Sequence, residues 1–199
     1  MQTSHVISDF ILAGCGIFVF IKYLSHLKYT NTVLWESFVL SVSAAAIFGG
    51  VGFMGYEKAN QFSLFFQHLA TITGGVGLVA ASYGLVKNQD FSLAVTYMVL
   101  AIGFILFVLA EGFGIKPVRL WTPIICMTLV VLIAIYGVVL GQIKSSVWLL
   151  VGVAFFALGT FRKELFGVGD ATIDIFHYLT AGGLLSIGMA NSKKGVKHF

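Results

Sequence analysis

Four ionisable side chains fall inside otherwise apolar stretches of this chain: Asp9, His68, Asp174 and His177. Desolvating such groups is costly, so each is a functional candidate by default. Carboxylate and imidazole together are the residue types of acid and base pairs, proton paths and zinc sites, and a catalytic zinc keeps one position open for water. Asp170, Asp174 and His177 are spaced i, i+4, i+7 and therefore project from one helix face. The expected site has Asp174, His177 and His68 holding a metal ion, zinc being the possible one, or activating water, with Asp9 as a supporting carboxylate. Glu57, Glu111, Arg119 and Arg162 fall at segment ends on the same side. A plainer alternative uses the same residues. Asp9 and Asp174 complement helix dipoles, Asp170 caps a helix, and His68 and His177 act as interhelical glue.

The elements that must position these residues are unusually clear. Hydrophobic residues make up 58% of the 199-residue chain and charged residues 10%, against about 25% charged in soluble domains. A helix needs about 20 apolar residues to cross a bilayer core. Seven such runs are expected near 6–25, 33–55, 62–86, 91–112, 119–141, 145–161 and 171–190. They are continuous rather than alternating, which excludes a barrel. The expected fold is an all-α membrane protein: one seven-transmembrane-helix bundle spanning 1–199, with short loops and no soluble module. Odd-numbered segments begin on the N-terminal side, so Asp9, His68, Asp174 and His177 lie at similar depth on one side.

Seven Lys on the C-terminal side, against five Lys or Arg on the other, point to a cytoplasmic C-terminus and an outside N-terminus. The clearest cue is Lys193, Lys194 and Lys197. The net charge of +4 is scattered over segment ends, which suits lipid headgroups and excludes nucleic acid. Cys15 and Cys126 sit in apolar runs with no redox spacing. Leu12-Ala13-Gly14-Cys15 has the form of a lipoprotein box but lacks a basic n-region and follows Asp9, so it reads as part of a first span. No phosphate loop, nucleophile elbow or zinc helix is present, and the last span has no Lys for a retinal Schiff base. Gly-Gly-Val-Gly occurs at Gly49 to Gly52 and again at Gly74 to Gly77, where small residues would pack the second span against the third. Trp35, Trp121 and Trp148 are placed as interfacial anchors.

Ser8-Asp9-Phe10 opening the first span, Gly49-Gly50 ending the second and Phe176-His177-Tyr178-Leu179 opening the last carry a resemblance. Together with the seven-helix topology, they resemble the CREST superfamily of membrane hydrolases, the alkaline ceramidase and progestin and adiponectin receptor type. The pattern is most similar to small bacterial seven-helix members. The resemblance implies a membrane-embedded hydrolase acting on lipid. It also implies three zinc-binding histidines, of which only His177 carries over. Its i+4 partner is Ala181, and Gly52-Phe53 stand where the second-span His is expected. A hydrolase on membrane lipid is thus one expectation. The other is a non-catalytic subunit packed against other membrane protein subunits or lipid.

Overall fold

The computed structural model describes residues 3–192, which are helical with no strand. Seven helices are long and apolar enough to cross a membrane. They are span 1 (Thr3–Leu24), span 2 (Tyr29–Phe53), span 3 (Glu57–Lys87), span 4 (Leu93–Gly112), span 5 (Lys116–Val139), span 6 (Ile143–Thr160) and span 7 (Ala171–Ala190). The protein is a polytopic helical membrane protein. Only helices or closed barrels satisfy their own backbone groups in hydrocarbon, and these continuous apolar runs can do so only as helices.

The largest departure from expectation is the start of span 3. Glu57-Lys58-Ala59-Asn60 looks like loop punctuation, yet it forms the first turn of that helix. The reversal happens earlier, at Gly55, whose φ of +107° is open to glycine. Glu57 then sits in the first helical turn, where a carboxylate complements the dipole. The stretch expected as a loop between spans 6 and 7 contains a short helix, Arg162–Phe166. Asp170 precedes span 7 but its side chain makes no capping hydrogen bond. The lysine cue at 193–197 lies outside the described residues.

Six spans form a ring in the order 1, 2, 3, 5, 6, 7 and back to 1, while span 4 lies outside it against spans 2, 3 and 5. The second half of span 3, Gly75–Lys87, packs on both span 5 and span 6. Its first half, Glu57–Leu69, packs chiefly on span 2. The ring is therefore tight on the C-terminal side and looser between spans 3 and 5 on the N-terminal side. Leu34, Val39, Leu78, Leu149 and Leu184 fill the core. Trp35, expected as an interfacial anchor, is 1% exposed and belongs to this core, whereas Trp121 is exposed. Outward-facing Ile102, Phe104, Ile105 and Leu132 form the lipid-facing surface.

The two glycine tetrapeptides divide their work. Gly74 meets span 2 so closely that a Cβ there would lie 2.7 Å from Phe38 Cα and Ser37 O. Gly49 and Gly50 face Asp9 and Phe10 of span 1, whereas Gly52 of the same tetrapeptide faces Asn60 of span 3. Because backbone at the contact cannot swing aside, Gly74→Ala should lower the thermal stability of the solubilised protein by about 1–3 kcal/mol, the usual cost of overpacking. Gly14→Ala, where no atom stands within 4 Å, should leave the unfolding midpoint unchanged or raised.

Candidate functional site

Span 1 and span 7 meet on the N-terminal side through a buried polar network. Successive turns of span 1 present Ser4, His5, Ser8 and Asp9 on the face toward span 7. Asp174, in the first turn of span 7, accepts from Ser4, from His5 Nδ1 at 2.8 Å and from Ser8 Oγ at 2.7 Å. One turn deeper, His177 lies between two neighbours of span 1. Its Nδ1 is 2.8 Å from Ser8 Oγ and its Nε2 is 3.2 Å from Asp9 Oδ1. Ser8 is fully buried, and His5, Asp9 and His177 are each at least 92% buried. The structure thus brings together Asp9, Asp174 and His177.

Ser8 has one hydroxyl proton to give. Given to Asp174, it obliges the hydroxyl to accept from His177 Nδ1–H. The tautomer is assigned from the network in this way. Asp174, with three donors, is the charged end of the chain. A single remaining proton then lies between His177 Nε2 and Asp9 Oδ1. Asp9 Oδ2 has no hydrogen-bond partner among the described residues. It occupies a notch that exists because residue 49 is glycine: a Cβ there would lie 2.8 Å from Oδ2. An unpaired buried carboxylate oxygen is costly, and the notch seals this one against Gly49.

Asp9 and His177 both line a cavity of about 490 Å³ inside the ring. The rest of its wall is mostly apolar, with Leu12, Phe38, Val42, Met127, Val153 and Phe156 among the contributors. Ser8, His5 and Asp174 do not line it. Ser8 is therefore a positioning residue behind His177, not a nucleophile facing a ligand.

His68 stands elsewhere. Its Nδ1 is 2.9 Å from Glu111 Oε2 of span 4, and Arg119 Nη2 of span 5 donates to its Nε2 at 2.7 Å. It makes no hydrogen bond or ion pair with Asp174 or His177, so the expected trio of His68, Asp174 and His177 is two separate clusters. Equal depth from the segment starts could not reveal this, because depth carries no information about position around the ring. The arrangement also does not fit zinc. Both nitrogens of His177 and the Nδ1 of His5 are already committed to protein partners. Among the described residues no three His, Cys, Asp or Glu side chains converge as a metal-binding group.

Ser4, His5 and Ser8 are the members that sequence reasoning missed. The available signal was the i, i+3, i+4 spacing of His5, Ser8 and Asp9, a polar stripe in an apolar helix. The three short motifs noted above also converge: Ser8-Asp9-Phe10 meets Gly49-Gly50 and His177 at one place.

Ser8→Ala should destabilise the solubilised protein by about 1–3 kcal/mol per group left without a partner. Double-mutant cycles should separate the two clusters. Ser8→Ala with Asp174→Ala should deviate from additivity, because the residues share a network. Asp174→Ala with His68→Ala should be additive within about 0.5 kcal/mol. Strong coupling in the second cycle would mean that the clusters act as one.

Comparison with known proteins leaves the reading to this geometry. No family model, no curated protein and no solved structure matches the chain.

Proposed function

We propose that the protein is a membrane-embedded hydrolase-like enzyme that takes an amphiphile into the ring cavity and cleaves an ester or amide bond in it. The observation that carries this reading is the placement of Asp9 and His177, with a shared proton, in the wall of a largely apolar cavity. Ligand sites are typically apolar clefts of roughly 300–1,000 Å³ with a few convergent polar groups. In this reading a water held in the cavity beside the Asp9–His177 pair adds to the substrate carbonyl carbon and gives one proton to that pair. The carbon–oxygen or carbon–nitrogen bond then breaks, and the pair returns that proton to the departing alkoxide or amine. One water is consumed and the pair ends as it began. Ser8 and Asp174 hold His177 in the required tautomer, and no step calls on a metal.

The alternative is a non-catalytic subunit in which the network only fastens spans 1 and 7. The test uses full-length protein in lipid nanodiscs, single-chain ester and amide lipids, and release of free fatty acid. Wild type is expected to release it. Asp9→Asn and His177→Ala, both folded by thermal unfolding, should lose about 10²–10⁴-fold in rate, the usual contribution of positioned acid–base groups. No cleavage by wild type, together with a stoichiometric partner after mild solubilisation, would favour the subunit reading.

The orientation we infer keeps the N-terminus and the Asp9–His177 site on the outer side of a bacterial cytoplasmic membrane, on the strength of the C-terminal lysines. A reporter active only in the cytoplasm should give signal when fused at the C-terminus and none at the N-terminus. The reverse pattern would invert the site's side.

A further inference from the structure

We propose that the cavity is loaded sideways from the bilayer, through the seam between spans 3 and 5, and that His68, Glu111 and Arg119 are the clasp that parts to admit a single-chain amphiphile. This rests on reading the cavity as the substrate site.

Four observations converge on that seam. Gln67 and Thr71 of span 3, and Ile124 and Thr128 of span 5, line the cavity and are also exposed. Accessible cavity-lining side chains therefore stand on both sides of this seam. The two helices are held together by packing only in the second half of span 3 and the segment just before it. Nearer the N-terminal side, the polar link from Arg119 to His68 bridges them, with Glu111 of span 4 bonding His68 and facing Arg119 Nε at 3.5 Å.

Depth decides what the seam faces. At 1.5 Å per residue, Thr71 lies about 4.5 Å past His68, and Thr128 about 14 Å past Arg119, toward the membrane centre. The opening is on the acyl-chain side of the clasp, so it admits molecules dissolved in the bilayer rather than in water. At about 490 Å³ the cavity falls within the range of small-ligand clefts, and its largely apolar wall suits an acyl chain.

Both rims are built to move. Span 3 runs as a π-helix over Ala70–Gly74. Such segments loosen the regular hydrogen-bond ladder and recur at functional sites. Opposite it, Pro123 lies inside span 5 and removes one backbone hydrogen bond. The clasp is cheap to open as well. In the tautomer that accepts from Arg119, His68 is neutral and donates Nδ1–H to Glu111, so the only charges are one Arg and one Glu, both partly exposed.

The test uses full-length protein in phosphatidylcholine nanodiscs and palmitate carrying a mid-chain diazirine, with photolabelled positions read by mass spectrometry. Wild type should be labelled on the cavity residues Val42, Met127 and Phe156 as well as on outward Ile102 and Ile105. Thr71→Trp and Thr128→Trp, one on each rim, should remove the cavity labels and keep the outward ones, which serve as the folding control. His68→Ala should speed cavity labelling severalfold. Outward labels alone in wild type, or cavity labels that survive both tryptophans, would overturn sideways loading, and an unchanged rate in His68→Ala would overturn the clasp. Labelling needs no turnover. Cavity labels without lipid cleavage would therefore sink the hydrolytic reading alone, whereas cleavage without cavity labels would sink this proposal alone.

Discussion

The interaction on which the rest of the structure depends is the polar fastening of the first span to the last. Ser8 and Asp9 hold His177 from either side, and Asp174 gathers Ser4, His5 and Ser8. His5, Ser8, Asp9 and His177 are buried away from water, so their pairing is enforced by the cost of leaving any one alone. The fastening closes the ring between spans 1 and 7, and the closed ring encloses the cavity. A bundle with apolar residues in these places would be glued only by packing, since lipid tails satisfy Leu as well as another helix does.

Specificity in that fastening comes from small residues as much as from charged ones. Asp9 sits where it does because Gly49 and Gly50 have no side chains, and span 3 reaches span 2 because Gly74 has none. The same economy explains why His177 is oriented without a metal. Two adjacent residues of one helix, Ser8 and Asp9, occupy both of its nitrogens.

The helix count, the all-α class and the positions of most span ends were legible because apolar runs of bilayer length have only one backbone solution. Asp9, Asp174 and His177 were legible because ionisable groups stand out against such runs. What could not be read was azimuth. Depth along a span placed His68 with the others, but the ring order puts it near spans 4 and 5, where Glu111 and Arg119 meet it. The polar members of the network were hidden for a different reason. Ser8 and His5 are ordinary residues until the partner helix is known, since a serine can always satisfy its hydroxyl on its own backbone. The turn at Gly55 was obscured because a charged, polar tetrapeptide looks the same as loop or as first helical turn.

The fastening also sets a clock on synthesis. Ser8 and its partner His177 are 169 residues apart, and at 5–20 residues per second span 1 waits roughly 10–30 s before span 7 exists. During that interval His5, Ser8 and Asp9 are polar groups in a nascent helix without their partners. Such a helix gains by lingering at the insertion machinery or the headgroup layer rather than settling at depth. Span 1 is thus seated only after span 7 is made, and a chain stopped before His177 would carry an unsatisfied stripe that quality-control proteases can recognise.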